Sequence, residues 1–101
     1  MIGREFNFHD GEKGSAIAIR ITKGKGRQRI VKVLRDGTVV IDLPEEVEDI
    51  DQELIKFLSN QLGIEPKRFD IIAGEEGQEK LISILDMNPE VLQKLILKKL
   101  A

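Results

Sequence analysis

The stretch from Asp49 to Leu85 constrains the fold of this 101-residue chain more than any other part of it. It holds a capped amphipathic helix, a short loop, a buried strand, a turn and a returning strand. Asp49 is placed to accept from the free amides of a first helical turn, with Gln52 three residues on, as in a capping box. Ile50, Leu54, Ile55, Phe57, Leu58 and Leu62 then fall on one stripe at helical spacing, and Gln52, Glu53, Lys56, Ser59 and Asn60 take the other side. Gly63 stands where a left-handed residue would end the helix, and Pro66 blocks its resumption. Phe69–Ala73 is rich in strand formers and closes on Gly74. Glu75–Gln78 reads as the turn, and Leu81–Leu85 as the strand that returns. A helix with so wide an apolar stripe needs a sheet to cover it.

Upstream, Ser15–Thr22 alternates cleanly. Ile17, Ile19 and Ile21 point one way, with Ala16, Ala18, Arg20 and Thr22 opposite. Lys23–Gln28 is a glycine-containing basic loop. Arg29–Arg35 is a strand, and Asp36-Gly37 turns it into Thr38–Leu43, whose inward set is Val39, Ile41 and Leu43. Residues 1–14, with Phe6 and Phe8 alternating against Asn7 and His9, read as an N-terminal tail or an edge strand folded back on the next one. Residues 15–101 read as one domain. Downstream, Asn88 caps a last helix with Pro89 at its first position. Val91, Leu92, Leu95, Ile96 and Leu100 are its expected core side, and Leu97 projects off that stripe. The order is β-β-β-α-β-β-α. It predicts an α+β two-layer sandwich, a small mixed sheet with two helices on one face. The crossover through Ile50–Leu62 is expected to make Phe69–Ala73 parallel to another strand.

With no cysteine in the chain, disulfides, zinc–thiolate centres and thiol nucleophiles are excluded, which agrees with a cytoplasmic location. No apolar run reaches the length of a membrane span, and the N-terminus lacks the apolar core of a signal peptide. No membrane partner is expected.

Charge is the sharpest remaining feature. Lys13, Arg20, Lys23, Lys25, Arg27, Arg29, Lys32 and Arg35 occur with no acid among them. Asp36, Asp42, Glu45, Glu46, Glu48, Asp49, Asp51 and Glu53 then follow with no base. Lys23, Lys25, Arg27 and Arg29, on a glycine-loosened loop, are the candidate residues for binding nucleic acid or another polyanion. The plainer reading is that these are solvated faces of strands, paired partly across the hairpin. No aromatic is interleaved to stack on bases, and the acidic half repels the same ligand. A third use sets the basic half of one molecule against an acidic surface elsewhere.

Catalytic signatures are absent. Gly24-x-Gly26 lacks the lysine and hydroxyl of a phosphate loop, and a strand follows it rather than a helix. His9, the sole histidine, has Asp10 beside it and no second ligand in view. Glu75 and Glu76 lie in an exposed turn, where nothing shifts a carboxyl group into acid–base work. Ser15, Ser59 and Ser83 have no histidine base.

From Ala16 to about Leu85 the chain resembles the YggU-like domains, a family of small uncharacterised α+β proteins. The residues that carry the likeness are AIRIT with Lys23 and Gly24, RIV with the DGT hairpin, VVIDLP, LIKFLSNQLGI, and IIAG with Gly74 and Lys80. The resemblance implies a mixed sheet with two helices on one face and implies no activity. Two polar motifs of that family differ here. Glu48-Asp49-Ile50-Asp51 stands where the family has Gly-Lys-Ala-Asn. Ala73–Lys80 stands where the family has Ser-Gly-x-x-Ser-Arg-x-Lys. The sequence thus points to a non-enzymatic domain, monomeric and without cofactor or metal, that binds a macromolecular partner, a protein in preference. The alternative is a weak RNA- or polyanion-binding module using the basic loop 23–29. An enzyme with an unrecognised site ranks last.

Overall fold

The computed structural model describes residues 9–11, 14–24, 27–44, 46–74 and 78–100. The elements in order are β1 (His9–Gly11), β2 (Gly14–Gly24), β3 (Arg29–Val33), β4 (Val39–Pro44), α1 (Ile50–Leu62), a 3-10 turn (Pro66–Arg68), β5 (Phe69–Ala73), β6 (Glu79–Leu85) and α2 (Pro89–Lys98). The fold is α+β, with the sheet order β3-β4-β2-β6-β5 and β1 added against β2. His9 pairs with Ala16 in that short addition, so the edge-strand reading of the N-terminal stretch holds for residues 9–11. Phe6 and Phe8 lie outside the described residues.

β2 is the strand on which the sheet is assembled. Its first part pairs antiparallel with β6 from Gly14 to Arg20, and its second part pairs parallel with β4 from Ile19 to Gly24. The eleven residues of β2 are long enough to serve three neighbours at once. The direct parallel pairing in the sheet is that of β2 with β4, while Phe69–Ala73 is parallel to both at a distance. β5 runs in the direction of β2 and β4, but its one partner in the sheet is β6, antiparallel. The crossover from β4 through α1 has to pass over β2 and β6 before the chain finds an open edge. That position also explains why β5 is not the buried strand its composition suggests. Phe69 is buried, Ile71 is half-buried, and Ile72 is 50% exposed at a bulge between Ile71 and Ala73.

Alternation decides which side of the sheet is covered. Ile17, Ile19 and Ile21 of β2, Val39, Ile41 and Leu43 of β4, and Ile82 and Ile84 of β6 all enter one cluster. Leu54, Phe57, Leu58 and Leu62 of α1 join it with Leu92 and Ile96 of α2. Both helices therefore lie on the same face. Ile50 and Ile55, on the flanks of the α1 stripe, are partly buried against that cluster. Asp49 Oδ1 accepts from the Gln52 amide at 3.1 Å and caps α1. Gly63, at φ 70°, ends it, with the Gly63 and Ile64 amides both donating to the Ser59 carbonyl. In α2, Asn88 Oδ1 accepts from the Glu90 and Val91 amides. Val91 itself, expected in the core, is 49% exposed, because the helix turns Leu92 and Ile96 inward and leaves Val91 a residue off that line. No described helix is long and apolar enough to cross a membrane.

The β3–β4 connection is one residue longer than Asp36-Gly37 alone suggests. The Gly37 amide donates to the Leu34 carbonyl at 2.9 Å, and the Leu34 amide to the Thr38 carbonyl at 2.8 Å. This is a three-residue loop closed by Gly37 in the left-handed region at φ 96°. The Thr38 amide also donates to Asp36 Oδ1 at 2.9 Å. That hydrogen bond, which favours the ionised carboxylate, holds Asp36 below the ordinary carboxylate range. The group contributes stability above its unfolded pKa and loses it as pH falls through the lower folded value. Wild-type protein is expected to be more stable than Asp36→Asn near neutrality, and the gap to close below about pH 4. Urea unfolding of both proteins across the acid range checks it.

Candidate interaction surface

Because both helices occupy one side of the sheet, the residues that alternate with the core isoleucines form its other face, which is open among the described residues. From β2 these are Ala16, Ala18, Arg20 and Thr22; from β4, Val40 and Asp42; from β6, Glu79, Leu81 and Ser83; from β3, Arg29 and Lys32. The centre is small and aliphatic. Ala18 is exposed, with Leu81 opposite it in register, and Ala16 stands opposite Ser83. Val40 is buried yet stands apart from the main cluster, with Arg20 and Lys32 as its register neighbours on either side. The stems of such long side chains can shield an aliphatic residue while their charges stay in water.

Ion pairs frame this centre. Arg20 meets Glu79 Oε2 through Nη2 at 2.9 Å and Nε at 3.0 Å. Arg29 Nε stands 3.5 Å from Asp42 Oδ2, and the Thr22 hydroxyl donates to the other oxygen of Asp42. Both pairs are solvent-exposed, so each adds about 1 kcal/mol or less to stability. Their consequence is for recognition. The basic and acidic halves of the sequence do not become two lobes, because β3 and β4 are hydrogen-bonded neighbours and bring the halves together.

The four sequence candidates divide accordingly. Lys23, next to last in β2, is exposed, Arg27 is exposed in the following loop, and Arg29 is engaged with Asp42; Lys25 lies outside the described residues. The acidic helix start also reaches this loop, since Gln28 Nε2 donates to Glu53 Oε2 at 2.6 Å. Among the described members of the set, Asp42 therefore stands beside Arg29, and Glu53 reaches the residue next to Arg27. Two of the three serines serve the backbone: Ser15 Oγ donates to the Met87 carbonyl and Ser59 Oγ to the Ile64 carbonyl at 2.6 Å. Among the described residues no three His, Cys, Asp or Glu side chains gather as a metal site would need. Glu75 and Glu76 lie outside the described residues.

One polar group that sequence reasoning treated only as a motif residue is internal. Lys80, on β6, has a side chain 2% exposed, while that of its ion-pair partner Asp51, in the first turn of α1, is 39% exposed. Lys80 Nζ lies 2.8 Å from Asp51 Oδ1 and donates to the Gly74 carbonyl at 2.9 Å. Asp51 Oδ1 is itself shielded and lacks a well-aligned hydrogen bond, so the contact is best described as ionic. The signal was available: Lys80, Ile82 and Ile84 share a parity, which puts all three on the covered face. Gly74, at φ 82°, also lies so close to the β6 backbone at Glu79 that a Cβ there would strike it. This cluster ties the start of α1 to the β5–β6 hairpin, and its charge is used within the molecule.

Both outer strands are ill-suited to accept another strand. β3 has a register shift between Ile30 and Lys32, and β5 one between Ile71 and Ala73. Bulges of this kind, with the exposed cations of β3, discourage edge-to-edge pairing. The face, not the edges, is what the sheet offers. Comparison with family models and with curated proteins gives no match for this chain.

Proposed function

We propose that this is a non-catalytic domain that binds a macromolecular partner, a protein, through the open face of its sheet. The observation that carries the proposal is the make-up of that face. A centre of Ala16, Ala18 and Leu81 is bordered by Arg20–Glu79 and Arg29–Asp42, the arrangement of apolar centre and polar rim found in protein interfaces. Kinship with the YggU-like domains, and a cytoplasmic setting, belong to the same proposal.

The polyanion reading is the weaker one. Arg29 is paired, and Glu53 reaches the loop that carries Arg27. Replacing Lys23, Lys25, Arg27 and Arg29 with glutamine is expected to leave retention on heparin or RNA columns almost unchanged. A salt-dependent loss of retention would restore that reading. The protein-binding proposal is tested by photocrosslinking from position 18 in extracts of the source cells, with position 56 on the outer side of α1 as control. A discrete adduct from position 18 only, abolished by Leu81→Glu, is expected. Equal adducts from both positions would refute the assignment to the face.

A further inference from the structure

We infer that α2 is a cover on the sheet that opens separately from the rest of the domain, with Arg68 as its latch. The connection between β6 and α2 is gripped from two sides. Three successive backbone carbonyls in it accept from side chains of other elements. Arg68, in the 3-10 turn before β5, donates from Nε to the Leu85 carbonyl at 2.9 Å and from Nη2 to the Asp86 carbonyl at 2.7 Å. Ser15 Oγ of β2 donates to the Met87 carbonyl. Ser15 is buried, and a Cβ on Gly14, the residue before it, would strike the Ile84 carbonyl. Within this grip Asp86 has φ 58°, the one positive value among the described residues other than glycine. A residue with a Cβ stays in the left-handed region when its surroundings hold it there, and here the holding groups are Arg68 and Ser15.

The helix that follows is lightly attached. α1 buries Leu54, Phe57, Leu58 and Leu62 and is joined to the sheet at both ends, by β4 and by β5. α2 fully buries Leu92 and Ile96, while Val91 and Leu97 are exposed on it. A helix of ten residues does not persist alone in water. Once Leu92 and Ile96 leave the apolar layer, its amides therefore lose protection together. Lifting α2 costs less than unfolding the domain, because the strands and α1 keep their own contacts, and the grip on residues 85–87 supplies part of that cost.

The test is native-state amide hydrogen exchange on the full chain. The amides of Leu92 to Lys98 are expected to exchange together, about tenfold or more faster than the core amides of β2 and β4, and with little dependence on dilute urea. In Arg68→Gln their exchange is expected to rise about three- to tenfold, as two charge-assisted hydrogen bonds partly open to water are lost. Ser15→Ala frees the Met87 carbonyl and is expected to act in the same direction, as an independent variant. Ile30→Val, on a strand two places from β2, is expected to speed the core amides about two- to tenfold and to leave those of α2 unchanged, since Ile30 stays packed when α2 lifts. One common rate for α2 and the core strands, or equal acceleration of both by Ile30→Val, overturns the separate opening. Unchanged exchange of α2 in Arg68→Gln overturns the latch, whether or not the urea midpoint falls.

Discussion

Replacing Leu58 with alanine is expected to lower the unfolding free energy by about 2–5 kcal/mol. Leu58 is fully buried in the cluster that joins α1 to the isoleucines of β2, β4 and β6. Shortening it removes the transfer energy of the lost methyl groups and leaves a cavity that the sheet cannot collapse to fill. The size of the loss matters because a domain of this length has about 5–15 kcal/mol in total. Urea unfolding should show a lower midpoint with an unchanged slope, since the same surface is exposed on unfolding. Leu97→Ala is the matched control. That residue is 38% exposed on α2, and its truncation should cost about 1 kcal/mol or less. Equal losses in the two variants would mean that α1 does not cover the sheet.

The second large effect is an asymmetry within one ion pair. Asp51→Asn removes the carboxylate that faces the buried Lys80 ammonium, and breaking a buried ion pair from one side costs about 3 kcal/mol. The reverse change, Lys80→Met, places an apolar chain of similar length in an apolar site. It releases Asp51, whose side chain is 39% exposed although its Oδ1 is shielded, and removes the donor to the Gly74 carbonyl. Its expected cost is the smaller of the two, in line with the tolerance of buried pairs toward hydrophobic replacement. Thermal or urea unfolding of the two single variants and the double variant decides the matter. If Lys80→Met is the more damaging of the two, the ammonium contributes net stability that this account does not give it. The double variant should fall close to Lys80→Met, since no buried charge remains to be stranded.

These effects mark how far each part of the molecule was legible in its residues. The α1 caps and stripe could be read directly, because Asp49, Gly63 and the spacing of Leu54, Leu58 and Leu62 act within one helix. The inward sets of β2 and β4 could be read for the same reason, as strand alternation is a local property. The exposure of Val91 could not, since a helical stripe fixes a direction only to within about one residue and the neighbouring element chooses among them. The status of β5 was hidden too. A run such as Phe69–Ala73 has the composition of a buried strand, and only its place at the sheet edge, with a bulge at Ile72, leaves it half in water.

The candidate surface was legible in its residues but not in its arrangement. Eight bases followed by eight acids suggested a bipolar molecule. The hairpin turned at Asp36-Gly37 folds those two runs side by side, so that Arg29 finds Asp42, while the distant β6 brings Glu79 to Arg20. Lys80 shows the same limit from the other direction. Its parity with Ile82 and Ile84 places it on the core side, but nothing near it in the chain announces Asp51, twenty-nine residues earlier, as its partner.

The sequence by itself determined the order of elements, the caps that begin and end the helices, and the side of each central strand that turns away from water. Those follow from interactions between residues a few positions apart, where the chain has little freedom to choose otherwise. Tertiary structure alone decided that β2 is the strand shared by three neighbours and that β5 lies at the rim. It also decided that opposite charges far apart in the chain meet on one exposed face. Such outcomes depend on which distant segments win a place beside one another, a competition settled by burial of the whole isoleucine, leucine and valine layer rather than by any local signal.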